Sequence, residues 1–167
     1  MTEQIVEREN ALLRRLKERF PGTDDQNAAV SVRRVFVTVP ADVFWDALQF
    51  ARDQLDFTRL STITGLDTGE QFEFLYHLSR PDGTLLTLKR QTARGDGVVI
   101  RSVLPLYAGA TFYERELEGL FGVKVEGLHE GRQYPLPDNW PEGQYPMRKD
   151  WPPAKEGPTP GQTEGEQ

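Results

Sequence analysis

Glu114, Arg115, Glu116 and Glu118 form the densest group of ionisable side chains in the sequence. Glu114 and Glu118 stand four residues apart, so on a helix they share a face. A desolvated carboxylate pair of this kind holds a proton near neutral pH and could act as general acid and base. The competing assignment is a solvated charged face, the commoner fate of a charge run. Arg115 is a planar bidentate donor suited to a carboxylate on a partner or on another segment of the chain. A second group, Met147-Arg148-Lys149-Asp150-Trp151, sets two cations beside an aromatic residue, an order that can contact phosphate or nucleic acid. Against that stands a net charge of −6, from 20 Lys plus Arg and 26 Asp plus Glu, which repels a polyanion. Protein docking is the better reading of this segment. His77 and His129 are the two histidines of the chain, each isolated, and read as structural.

Composition removes other chemistries. With no cysteine, the chain has no thiolate for an iron–sulfur cluster, a Cys-ligated zinc, a nucleophile or a disulfide. The sequence contains no Gly-rich phosphate loop, serine elbow or zinc spacing. Cofactor-binding and metal residues are therefore expected to be none. No apolar run approaches the roughly 20 residues that span a bilayer, and the N-terminus MTEQIVEREN lacks an apolar signal core. The expectation is a water-soluble chain that carries no redox cofactor.

The elements that must position these groups follow from periodicity. Ile5, Leu12, Leu13, Leu16 and Phe20 recur at helical spacing over residues 2–20, and Pro21-Gly22 stops the helix. A polar loop over 23–27 precedes residues 29–39, a β-branched run that reads as one strand. Pro40 opens a second helix carrying Phe44, Ala47, Leu48, Ala51 and Leu55 on one face. Strands follow over 57–66, at the alternating Phe72, Phe74, Tyr76 and Leu78, over 84–92 and over 98–103. Turns at 67–69, 81–83 and 95–97 join them as hairpins. Thr111 and Glu114 match a capping box at the start of a helix over 111–121, with Gly122 as its left-handed cap. The fold class is α+β, a mostly antiparallel sheet flanked by helices.

From Val123 regular patterning fades. Residues 127–153 hold Pro135, Pro137, Pro141, Pro146, Pro152 and Pro153 beside Tyr134, Trp140, Tyr145 and Trp151. Proline at this density excludes helix and sheet interior, while large aromatics require burial against something. An extended Pro/aromatic C-terminal arm lying on a surface satisfies both. The expected organisation is an N-terminal helix and loop at 1–27, an α+β domain at 28–126, a docking arm at 127–153 and a disordered tail at 154–167.

The stretch AGATFYERELEGLFGVKVEG, residues 108–127, resembles the signature of the thirty-kilodalton subunit family of respiratory complex I, the C subunit of the bacterial enzyme. The matching residues are Glu114-Arg115-Glu116, Leu120-Phe121-Gly122, Gly127, Arg132, Pro137-Asp138-Asn139-Trp140, Glu142-Gly143 and Pro146-Met147-Arg148-Lys149-Asp150. The resemblance spans roughly residues 28–153. Gly119 stands where the family has an acidic residue, Leu128-His129 where it has His-Pro, and Gln133 where a second Arg is common. The same subunit type occurs in group 4 membrane-bound NiFe hydrogenases, and the two settings stay open.

The resemblance implies a cofactor-free structural subunit in the peripheral arm of a membrane-associated NADH-quinone oxidoreductase, at the cytoplasmic face. Electrons would pass from NADH to quinone through iron–sulfur clusters and flavin, or a NiFe centre, on partner subunits. The implied partners are a forty-nine-kilodalton-like, hydrogenase large subunit-like protein and cluster-bearing subunits, with no nucleic acid and the membrane reached only through the complex. Glu114, Arg115, Glu116 and Arg132 match its signature. Tyr134, Trp140, Tyr145 and Trp151 would anchor the interface, with Arg148, Lys149 and Asp150 supplying charge complementarity. A free-standing enzyme using Glu114 and Glu118 is the alternative of another class.

Overall fold

The computed structural model describes residues 2–132 and 134–151, and within these the side chains of 2–5 and 24–27 are not described. Gln133, Pro152, Pro153, the tail at 154–167 and the Ile5 side chain thus lie outside the described residues.

Helix α1 (Thr2–Arg19) turns Leu12 and Leu16 into the core, and Phe20 follows them. Strand β1 (Asp24–Ser31) begins inside the segment expected to be a loop. The β-branched run does not continue as one strand. It folds back after Ser31 into β2 (Arg34–Thr38), pairing antiparallel with Ser31 opposite Arg34. Arg33 closes this two-residue turn at φ 59°. A left-handed arginine carries none of the Gly or Asn chemistry by which such turns announce themselves.

Pro40 lies ahead of the second helix rather than opening it. Helix α2 (Phe44–Leu55) starts after Val43 and ends at Asp56, which holds a left-handed conformation and donates its N–H to the Ala51 carbonyl. Strands β3 (Arg59–Asp67), β4 (Gln71–Ser79) and β5 (Leu85–Ala93) form an antiparallel meander with turns at the expected places. β5 then pairs parallel with β2, giving the order β1-β2-β5-β4-β3.

β6 (Val99–Arg101) is not a hairpin partner of β5. It pairs parallel with β7 (Lys124–Glu126), a strand that the sequence pattern does not announce, as a separate two-stranded sheet. The helix between them, α3 (Thr111–Phe121), follows a short 3-10 turn at Ala108–Ala110. No described helix is long and apolar enough to cross a membrane.

Alternation along the strands sorts the large sheet into two faces. Val35, Val37, Phe72, Phe74, Tyr76, Leu78, Leu86 and Leu88 are buried and meet the apolar sides of all three helices in one core. Phe44 of α2 packs on Tyr76 with ring centroids 5.0 Å apart, and Phe121 of α3 packs edge-on to Phe72 and Phe74. The opposite face of β4 and β5 bears their half-buried and exposed residues. This is the two-layer α+β arrangement that period-two strands produce when one face is covered.

Candidate docking site

The capping box at α3 does not form. The 3-10 turn runs directly into the helix, so the N-cap is Ala110 in helical conformation and Thr111 lies inside the first turn. Glu114 is thereby released for another use. It is fully buried, with Oε1 accepting from the Val103 N–H at 2.6 Å and Oε2 from the Ser102 hydroxyl at 2.7 Å. Burial raises its pKa above the ordinary carboxylate value. The bonds from Val103 and Ser102 pull it back down, and the negative charge of Glu118 adds to the rise.

One turn on, Glu118 Oε1 accepts from the Val125 N–H at 3.0 Å. The two glutamates share a face, as their spacing requires, but each grips main chain: Glu114 at the end of β6, Glu118 on β7. They tie the small sheet to α3, and both oxygens of Glu114 are committed inside the protein.

Around them α3 carries the arm. Arg115 Nη2 donates to the His129 carbonyl at 2.8 Å and Nη1 to that of Arg132 at 3.4 Å, fixing the loop after β7. Glu116 is half-buried, and its side chain makes no hydrogen bond or ion pair among the described residues. Gly119 is buried where the chain returns over the helix. A Cβ there would stand 3.0 Å from the Tyr134 carbonyl oxygen. Gly122 caps the helix at φ 68°, and the Tyr145 ring lies where its side chain would be.

The final segment satisfies the carbonyls that the end of a helix leaves without partners. Met147 donates its N–H to the Leu120 carbonyl at 3.2 Å, and Arg148 Nε donates to that of Phe121 at 2.7 Å. The Arg148 guanidinium lies over the Tyr145 ring at 4.4 Å and the Phe72 ring at 5.5 Å, and pairs with Asp96 at 2.7 Å. Lys149 donates its N–H to Asp67 Oδ2 at 2.8 Å and its ammonium to the Thr68 carbonyl at 2.9 Å. Asp150 pairs with Arg94, whose Nε also binds both oxygens of Asp67. Burial of Asp67 would raise its pKa, but N–H donation from Lys149 and Gly69, together with Arg94, holds it below the usual carboxylate value. Arg148, Lys149 and Asp150 are thus spent on the chain's own domain.

Trp140 and Trp151 stack on each other at 5.6 Å and 29°, and Trp140 Nε1 donates to the Gln144 carbonyl. Arg132 pairs with Asp138 at 2.6 Å with both side chains exposed. Tyr134 meets Phe112 of α3 at 5.4 Å, and this pair faces solvent, Phe112 being 62% and Tyr134 43% exposed. Met147 is also exposed. Between α3 and the arm runs a groove of 390 Å³ lined by Arg115, Glu118, Lys124, Arg132, Glu142 and Tyr145 among others. No three His, Asp or Glu side chains converge to hold a metal among the described residues.

Sequence reasoning misses Phe112, Asp67, Arg94 and Asp96, the groups that complete these contacts. Asp96 lies in plain view between two glycines; the others reveal themselves only once the arm is laid over the fold. Phe112 and Tyr134 offer an exposed aromatic pair, and the groove beside them offers charges of both signs. Exposed aromatic rings beside charged groups are the composition found in surfaces that contact other proteins.

A profile of the family described as respiratory-chain NADH dehydrogenase, 30 Kd subunit, matches residues 37–157. The C subunit of the NADH-quinone oxidoreductase of Agrobacterium fabrum is 36% identical over 121 residues, which cover 69% of this chain and 58% of that protein. Hydrogenase-4 component G of Escherichia coli is 29% identical over 146 residues, 85% of this chain but 26% of that longer protein. Among solved structures, a chain from the membrane-bound sulfane sulfur reductase, an archaeal respiratory membrane complex, superimposes with a TM-score of 0.77 at 28% identity. The match covers 89% of this chain and 88% of that one. On these grounds the chain belongs to the thirty-kilodalton subunit family of the respiratory-chain NADH dehydrogenase.

Proposed function

We propose that the chain is a structural subunit of a membrane-associated oxidoreductase complex and serves it by contact. In this reading it sits in the peripheral arm at the cytoplasmic face of the membrane. It docks a forty-nine-kilodalton-like, hydrogenase large subunit-like partner, while clusters, flavin or a NiFe centre on other subunits carry electrons, in a complex I from NADH to quinone. The observation that carries the reading is the exposed Phe112–Tyr134 pair beside the α3–arm groove, a ready-made aromatic anchor on a rigid base. Hydrogenase-4 component G adds support, because the region similar to this chain is only 26% of a longer hydrogenase component. Fusion within one chain is a common fate of domains that work in contact.

The internal use of Arg148, Lys149 and Asp150 refines the interface. In this reading they hold the arm in shape, and Tyr134, Trp140, Tyr145, Trp151 and Arg132 present it. The acid–base alternative finds no support in the geometry, because Glu114 is sealed and both its oxygens are occupied. The test is affinity purification of the tagged chain from detergent-solubilised native membranes. Co-purification with a hydrogenase-type large subunit and iron–sulfur subunits is expected. A monodisperse chain with activity of its own would overturn the proposal.

A further inference from the structure

At the end of the sheet where β3 begins, remote from the anchoring of the arm, three connections come together. Arg33 in the β1–β2 turn accepts from the Leu85 N–H at 2.8 Å, and its guanidinium lies beside Gly83 of the β4–β5 turn. The strand register places Arg34, Leu85, Ser79 and Arg59 in one row across β2, β5, β4 and β3, on the face opposite the helices. With strands about 4.8 Å apart, Arg34 and Arg59 stand about 14 Å from each other along that row. Next to Arg59 is a groove of 550 Å³ lined by Thr58, Arg59, Ser79, Arg80, Pro81 and Gly83, with no carboxylate in its wall.

The carboxylate held in this cluster is already claimed. Asp82 accepts from Arg80 Nε at 2.9 Å and Nη2 at 2.8 Å, and from Arg8 Nη2 at 2.6 Å. The bonds from Arg80, with further donation from Thr84, keep its carboxyl well below the usual carboxylate range against the opposing effect of burial. Arg33, Arg34 and Arg59 are exposed and have no ion-pair partner among the described residues. Asp56, three residues before Arg59, forms no pair with it. Guanidiniums gathered this way repel one another in a chain whose net charge is −6.

We propose that this arginine-rich end of the sheet is a second docking surface, taking an acidic segment of a neighbouring protein subunit. The inference rests on the reading of the chain as a subunit of a complex. Arginine is the cation suited to such a contact, since its planar fork binds a carboxylate through two parallel bonds. Half-buried Leu85 and Ser79 lie between Arg34 and Arg59, with Phe36, Thr87 and His77 in the next row, so the cations border a mixed apolar and polar surface of the kind found at the rims of protein interfaces. A lipid surface would instead require apolar anchors projecting beyond the cations, and here Val32 alone among the large exposed apolar residues adjoins them.

The intact complex, purified from native membranes, provides the test. Arg34→Lys with Arg59→Lys keeps the charge and supplies amines that a carbodiimide joins without a spacer to a carboxylate in contact. Cross-links from positions 34 or 59 to Asp or Glu of another subunit, found by mass spectrometry, are the expected result. The charge-reversed pair Arg34→Glu and Arg59→Glu should lower the NaCl concentration that releases the chain at least twofold, with unchanged thermal unfolding of the isolated chain. Cross-links confined to this chain, or unchanged salt release, overturn the inference while leaving the subunit reading intact. So does binding to phosphatidylglycerol vesicles that depends on these arginines, without a cross-link to another subunit. A wild-type chain that co-purifies with no oxidoreductase subunit overturns both.

Discussion

Arg148 donates through Nε to the carbonyl oxygen of Phe121 at 2.7 Å, so a side chain 27 positions downstream caps the helix that carries the signature. The guanidinium lies over the rings of Tyr145 and Phe72, and its side chain is 11% exposed. Cap, ring contacts and the Asp96 pair lie on one residue. Removing them together costs more than any surface ion pair, which is worth only a fraction of a kcal/mol.

Arg148→Ala should therefore lower the stability of the isolated chain by about 2 kcal/mol, the loss expected when a charged hydrogen bond to a half-buried acceptor disappears. Limited proteolysis should cut residues 134–151 faster in the variant than in the wild type. Chemical denaturation that shows no loss of stability would mean that the cap carries no weight.

Gly119 stands where the resemblance leads one to expect an acid, and the geometry gives the reason. The Tyr134 carbonyl oxygen would stand 3.0 Å from a Cβ at this position, a contact that any side chain tightens further. Gly119→Asp should lift the arm from α3 and destabilise the chain by about 1–3 kcal/mol, the range for overpacking a tight contact. The Phe112–Tyr134 ring contact should loosen with it, which tyrosine fluorescence or ring-proton NMR shifts would register. An unshifted Tyr134 would mean that the arm seats without this close approach.

Local grammar is legible wherever neighbours in sequence decide the structure. The end of α3 at its Gly122 cap, the β3–β4 and β4–β5 turns and the core alternation of β4 all follow from short-range pattern, whereas the start of α3 is set by the 3-10 turn and not by the capping box its sequence suggests. Pattern fails where distant segments decide. β6 chooses β7 across α3 instead of β5 beside it, because the two glutamates of that helix hold both strands. The hairpin at Arg33 has no turn residue to mark it. The Arg148–Asp150 segment reads as an interface from sequence because its charge partners, Asp96, Asp67 and Arg94, are invisible from spacing alone.

Glu114 and Asp67 should give stability opposite dependences on pH. Glu114 has a folded-state pKa above the ordinary 4.5 of a glutamate, so the folded chain holds that proton more tightly than the unfolded one. Its contribution is greatest below the ordinary carboxylate range and declines as pH rises through the folded value. Asp67 is shifted below 3.8, so its contribution is present above that value and lost as pH falls through the folded one. Asp67→Asn should be less stable than wild type at pH 7, with the gap closing in acid. Glu114→Gln should compare better with wild type at pH 8 than at pH 4. Urea unfolding from pH 8 down to about pH 2, below the ordinary carboxylate range, checks both, and parallel curves for wild type and variant would contradict the assignments.

The aromatic surface separates docking from folding most sharply. Phe112 and Tyr134 pack edge-on and are 62% and 43% exposed, so truncating either removes far less burial from the isolated chain than truncating a core residue would. Phe112→Ala and Tyr134→Ala should change its unfolding free energy by no more than about 0.5 kcal/mol, as surface substitutions do. At a hot spot the same truncation weakens association by about 2 kcal/mol or more, roughly a thirtyfold loss of affinity. Trp140→Ala is the contrasting case: it breaks a stack with Trp151 and a hydrogen bond to Gln144, so stability and assembly should fall together. Quantifying the tagged variants that co-purify with the complex, against thermal unfolding of each chain alone, compares the two effects. Phe112→Ala and Tyr134→Ala chains that assemble like the wild type would move the interface away from this face of α3.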